Sequence, residues 1–127
     1  MMGFDVSDTG FNIVLTADVP QLIRDHLRAT VDEFLADNNL GIKNICSYML
    51  HSGGPKVLKA MEGALDLPPE ALETSYKSLR EHGNISSASV LSIVQDFMLN
   101  KPGGAGCYSI MGAMGPAICS ELLLLQW

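Results

Sequence analysis

Short apolar runs alternate along this chain with segments of helical spacing, and the pattern lays out nine elements. Phe4 and Val6, then Phe11, Ile13, Val14 and Leu15, have strand character, and Ser7-Asp8-Thr9-Gly10 between them carries turn chemistry. Asp18-Val19-Pro20 opens a helix, with Asp18 near the N-cap and Pro20 in the first turn. Its apolar face is Ile23, Leu27, Thr30, Val31 and Phe34, and Asn38-Asn39-Leu40-Gly41 ends it. Residues 44–50 form an apolar strand, as expected of one covered on both faces by helices. Pro55 to Leu65 is a helix with Val57, Leu58, Met61 and Leu65 inward. Leu67-Pro68-Pro69-Glu70 breaks the chain. A helix then runs to about His82 on a stripe of Leu72, Tyr76 and Leu79, with Gly83 at a left-handed C′ position. Ser86 or Ser87 can cap the next helix, which is expected to bury Val90, Leu91, Val94, Phe97 and Met98. A glycine-rich loop leads to two last strands, Tyr108 to Met111 and Ile118 to Leu125, separated by Gly112-Ala113-Met114-Gly115-Pro116. The order ββαβαααββ predicts a layered α/β sandwich with a mixed sheet.

Composition narrows the function classes. The chain has 127 residues, 47% of them hydrophobic and 17% charged, which suits one domain with a buried core. A net charge of -6, with eight scattered basic residues, argues against a nucleic-acid surface. No apolar stretch reaches the roughly 20 residues of a membrane span. The first residues lack the pattern of a signal peptide. Three cysteines without CxxC spacing predict reduced thiols in a cytoplasmic protein and no zinc site. Cys46, Cys107 and Cys119 are expected to be small buried hydrophobes.

The candidate chemistry sits at two turns. The apolar run Ile45-Cys46-Ser47-Tyr48-Met49-Leu50 ends on His51, and Ser52-Gly53-Gly54-Pro55 follows. A histidine at a strand end is often no more than a hydrogen-bonded structural group. Two adjacent glycines after it, however, suggest backbone that a ligand approaches closely. Asn84 lies in Gly83-Asn84-Ile85-Ser86-Ser87-Ala88, just before a helix N-terminus. Most such residues only shape a turn. A side-chain amide and an imidazole N–H can nevertheless donate together to one oxygen and form an oxyanion hole. His26 and His82 fall in helical patterns and read as surface residues.

The segments His51-Ser52-Gly53-Gly54-Pro55, Gly83-Asn84-Ile85-Ser86-Ser87-Ala88 and Ala113-Met114-Gly115-Pro116-Ala117 together resemble the three C-terminal signatures of type III polyketide synthases, the chalcone and stilbene synthase family. The resemblance runs from about Met1 to Leu125. It implies a thiolase-like fold, of which residues 1–127 form the C-terminal half. It also implies a Cys-His-Asn triad, with His51 as its histidine and Asn84 as its asparagine. The nucleophilic cysteine would belong to an N-terminal domain that this chain lacks. The implied substrates are malonyl-CoA and an acyl-CoA starter, joined by decarboxylative condensation with no metal or bound cofactor. The implied partners are the missing half and a second copy in a homodimer. Phe4 and Ile13 are expected to line the cavity, Gly53 and Gly54 to lie beside the pantetheine arm, and Ser86 and Met114 to border the reacting centre.

Ser52 replaces the family's usual proline after the histidine, and Ala113 and Ala117 replace glycines of the plant-type loop. Two other readings stand beside this one. Half of a β-ketoacyl-carrier-protein synthase III shares the triad and the Gly-Asn-x-Ser pattern, but normally has Gln-Ala-Asn after its histidine. A truncated or split-gene product could instead keep the triad remnants without catalysis.

Overall fold

The computed structural model describes residues 2–15, 18–100, 104–115 and 119–127, without the side chains of Met2, Phe4, Ile13 and Leu15. Strands β1 (Met2–Ser7) and β2 (Gly10–Leu15) form an antiparallel hairpin. Helix α1 (Val19–Asp37) follows, then a 3-10 turn (Ile42–Asn44) and β3 (Ile45–Leu50). Helix α2 (Pro55–Leu65), a second 3-10 turn (Pro69–Leu72), α3 (Glu73–His82) and α4 (Ser87–Asn100) make the crossover to β4 (Tyr108–Met114) and β5 (Ser120–Gln126). The mixed sheet has the order β3-β4-β5, with β3 and β4 parallel and β4 and β5 antiparallel. The β1-β2 hairpin is a separate sheet. The element order is the one the hydrophobic pattern predicts.

The period-2 geometry of a strand explains the layers. Tyr48, Leu50 and Ile110 face the larger core, with Val19, Ile23, Leu27, Val31 and Leu35 of α1 and Leu58, Met61 and Leu65 of α2. Met49 faces the other way, into a smaller core with Ile93 and Phe97 of α4. Helices therefore cover both faces of β3, as its apolar sequence requires.

Several details depart from the sequence pattern. On α4 the buried stripe is Ser89, Val90, Ile93 and Phe97, while Leu91 and Met98 are each 62% exposed. The apolar arc of this helix runs well over half of its circumference, so periodicity alone does not fix which part of it turns inward. On α1, Leu35 is buried and Phe34 packs at the margin. On α3, Leu72 just ahead of the helix, then Ser75 and Ser78, are buried, while Tyr76 and Leu79 are only partly so. Gly83 has φ 71° and ψ -165°, a glycine-only conformation but not the left-handed helical one. Strand β4 extends through Gly112 to Met114, three residues further than predicted.

The cysteines also depart from expectation. Cys46 and Cys107 are joined in a disulfide across the start of the β3-β4 ladder, with their Cα atoms 6.1 Å apart. Cys46 is exposed rather than buried, and Cys119 is a free, exposed thiol. This overturns the expectation of three reduced, buried thiols and removes one ground for the cytoplasmic assignment. Among the described residues, no helix is long and apolar enough to cross a membrane.

Two measurements test this packing. Ile93→Ala should cost about 2–5 kcal/mol, whereas Leu91→Ala should stay within about 0.5 kcal/mol. Urea unfolding of both variants decides it, since equal losses would restore the stripe predicted from sequence. Leu91, Met98 and Leu123 leave apolar surface exposed, so the chain should self-associate. Sedimentation should then show that charges introduced at 91 and 98 shift it toward monomer. A wild-type chain that is already a monodisperse monomer would refute this.

Candidate active site

His51 continues the ladder one step beyond β3. Its N–H donates to the carbonyl of Gly112 at 2.9 Å, and its own carbonyl accepts from Gly53 N–H at 3.0 Å, closing a tight turn. Val57 and Leu58 then donate to the carbonyl of Gly54, which starts α2 with Pro55 in its first turn. The site therefore stands at the carboxyl ends of two parallel strands, where α/β folds commonly bind ligands.

Gly112 makes the approach of β4 possible. A Cβ at this position would meet Leu122 Cδ2 at 3.0 Å and Leu50 Cδ2 at 3.1 Å. A side chain there would have to push one of them aside. Gly53 is different: a Cβ would meet Val57 and His51 Cδ2 at 3.5 Å and 3.7 Å, which is ordinary contact. Packing within this chain does not demand glycine at 53.

Asn84 comes to the same turn from the α3-α4 loop. Its Nδ2 donates to the carbonyl of Gly53 at 3.1 Å, and its Oδ1 accepts from Ser86 N–H at 3.0 Å. The second contact is a local turn of the kind short polar side chains favour. It holds Ser86 at φ 56°, the left-handed region unusual for serine. At the entry to α4, Ile85 N–H donates to Ser89 Oγ at 3.0 Å. The His51 imidazole and the Asn84 amide thus both abut Gly53, from chain segments 33 residues apart in the sequence numbering.

The imidazole is partly buried, and that desolvation holds its pKa below the ordinary histidine value. Ser52 is fully buried and its hydroxyl has no partner among the described residues.

The other expected site residues divide. Gly53 and Gly54 form the turn, and Ser86 is tied to Asn84. Met114 ends β4 at the same end of the sheet and packs beside the larger core. Ala113 pairs with Glu121, while Pro116 and Ala117 lie outside the described residues. Phe4 and Ile13 are direct partners across the β1-β2 hairpin, and their side chains lie outside the described residues. Sequence reasoning missed Ser75, whose hydroxyl donates to the carbonyl of Leu50 at 2.8 Å, and Ser89. No signal in the sequence pointed to them, since the predicted apolar stripes of both helices leave these serines out.

Residues 1–126 match the family described as chalcone and stilbene synthases, C-terminal domain. A 1,3,6,8-tetrahydroxynaphthalene synthase of Streptomyces peucetius subsp. caesius is 39% identical over the whole chain, which covers 34% of that protein. A putative chalcone synthase of Bacillus subtilis is 35% identical, again over the whole chain and 35% of the relative. The solved 1,3,6,8-tetrahydroxynaphthalene synthase of Streptomyces coelicolor, a bacterial type III polyketide synthase, superposes with a TM-score of 0.90 at 30% identity, over 99% of this chain and 36% of that one. Polyketide synthase PKS-I of the brown alga Ectocarpus siliculosus shares the fold, with a TM-score of 0.93 at 22% identity over 98% of this chain and 35% of that one. The chain spans about a third of the length of these relatives. It has their fold, and it belongs to the chalcone and stilbene synthase family, whose C-terminal domain it matches.

Proposed function

We propose that this chain supplies the histidine and asparagine of a Cys-His-Asn triad in a type III polyketide synthase. The reading rests on the bond from Asn84 Nδ2 to the Gly53 carbonyl, which brings two family-type turns to one point. In it, His51 and Asn84 point their N–H groups at the thioester oxygen of malonyl-CoA. As the carbon–carbon bond to the carboxylate breaks, CO2 leaves and the electron pair becomes an enolate. The two donors stabilise the charge that develops on that oxygen. The enolate carbon then attacks an acyl thioester on a cysteine, forming the new carbon–carbon bond and releasing the thiolate for the next cycle.

The thiolate comes from outside these residues. Cys46 and Cys107 are bonded to each other, and neither they nor Cys119 stands in a family-type nucleophile motif. The reading therefore includes an N-terminal half carrying the cysteine, and a homodimer as in the family. CoA thioesters enter as substrates, and no resident cofactor or metal takes part. The glycine at 53, which packing does not require, leaves the backbone open beside the histidine for a pantetheine arm.

The charge state of His51 follows from its surroundings. Burial favours the neutral ring in this chain. An imidazolium forms only when a thiolate arrives beside it, because the nearby negative charge then offsets the desolvation.

Two experiments test the reading. In a polypeptide joining this chain to a cysteine-bearing N-terminal half of the family, labelled malonyl-CoA should release CO2 and yield polyketide. Asn84→Ala should lower that rate by about 10²–10³. The 127-residue chain by itself should form no acyl adduct, and a covalent adduct or a pyrone from it alone would sink the claim that the thiol comes from elsewhere. The second test is titration. His51 should titrate by NMR below the ordinary value of about 6.5. Its folded pKa is depressed, so the unfolded state takes up the proton first. Stability should be full above about 6.5 and fall as the pH drops from there toward the folded midpoint. His51→Gln should abolish that part of the slope in pH-dependent melting, and an unchanged slope would show that the ring is not desolvated.

A further inference from the structure

Two fully buried serines outside the signature segments hold the two turns of the site from behind. We propose that Ser75 and Ser89 are positioning residues, Ser75 for the His51 imidazole and Ser89 for the Asn84 amide. The proposal rests on the triad reading above and adds to it.

Ser75 acts through the last residue of β3. Backbone groups on successive strand residues point to opposite edges. The N–H of His51 points to β4, where it meets the Gly112 carbonyl, so the carbonyl of Leu50 points to the opposite edge. Strand β3 is the end strand of the β3-β4-β5 sheet, and that edge has no neighbouring strand among the described residues. Leu50 is only 2% exposed, so water is poorly placed to satisfy its carbonyl. The hydroxyl of Ser75, fully buried on α3, donates to it at 2.8 Å. The peptide joining Leu50 to His51 is then held from both sides, by Ser75 at its carbonyl and by Gly112 at its N–H. Remove the hydroxyl, and that peptide can turn to seek another donor, carrying the imidazole with it.

Ser89 acts through the α4 entry. Its Oγ accepts from Ile85 N–H at 3.0 Å, and its own N–H donates to the Ser86 carbonyl at 3.1 Å. These two bonds hold the Asn84–Ile85 peptide at its N–H and the Ser86–Ser87 peptide at its carbonyl, so they bracket Ile85 and the strained Ser86, which sits at φ 56°. Ser86 N–H in turn engages Asn84 Oδ1. With the oxygen so engaged and one Nδ2 hydrogen on Gly53, the remaining Nδ2 hydrogen has a fixed direction for a substrate oxygen. Relaxing Ser86 toward ordinary φ would free the amide to rotate. A donor must hold its geometry to within about 0.5 Å to stabilise a transition state.

The test has a kinetic arm and a structural arm. In the joined polypeptide, Ser75→Ala and Ser89→Ala should each lower kcat about tenfold while KM for malonyl-CoA stays within about twofold. Ser89→Ala should cost little further in an Asn84→Ala background, and Ser75→Ala little further in a His51→Gln background, because each acts through that partner. Equal losses in both backgrounds would reduce the serines to general structural groups and overturn the proposal. In this chain alone, amide exchange should quicken about tenfold at Ile85 and Ser86 in Ser89→Ala, and at His51 and Gly53 in Ser75→Ala, while α1 keeps its protection. Ser75→Thr and Ser89→Thr, which keep a hydroxyl, should restore wild-type exchange. Wild-type exchange at those amides in the alanine variants would overturn the proposal even where no polyketide forms. Failure of turnover by the wild type, with exchange altered as expected, would instead count against the triad reading and leave the positioning intact.

Discussion

The close approach of β4 to β3 at Gly112 is the constraint on which the site depends. The side chains of Leu50 and Leu122 press over this residue so tightly that even a methyl group would crowd both. The same residue's carbonyl takes the N–H of His51, so the parallel ladder outlasts β3 by one residue. The histidine is thereby tied to the end of a strand covered by α1 and α2 on one face and by α4 on the other. A functional side chain built on such a scaffold keeps its geometry better than one on a free loop.

Asn84 has no such strand beneath it and is exposed. Its placement comes instead from a relay of local bonds through Ser86 and Ile85 to Ser89, and from its hold on the Gly53 carbonyl. The two turns are thus built differently. One is the end of a ladder, and the other is a strained loop locked by small polar groups. In the proposed triad, that division suits an imidazole that must stay beside a thiolate and an amide that meets substrates as they come and go.

The element order was legible because each strand and helix carries its own period and punctuation. Pro20, Pro55 and Pro69 each sit at a helix start, and the Pro55–Leu65 helix has the predicted bounds. What failed was the facing of helices, on α3 and α4 above all. For α4, hydrophobicity cannot distinguish Leu91 from Ile93, and only the position of β3 decides it. The candidate site was legible as far as His51, Gly53 and Asn84, the residues that meet at one turn. It was not legible in Ser75 and Ser89, because a buried serine is recognised only by the backbone group it satisfies. Leu50 and Ser75 are 25 residues apart, and nothing local joins them.

The serines also give a measure of how polar groups are handled near the histidine. Ser75 and Ser89 are fully buried and bonded, whereas Ser52, beside His51 and equally buried, has no partner among the described residues. An unsatisfied buried hydroxyl costs about 1–3 kcal/mol, a penalty that the proline usual at this position in the family would not incur. Ser52 departs from the family's usual proline, and the structure shows where that departure falls. The turn is closed by the bond from Gly53 N–H to the His51 carbonyl and capped by Asn84, neither of which involves the side chain at 52. Its geometry therefore does not depend on proline, and the exchange falls on stability rather than on where His51 points.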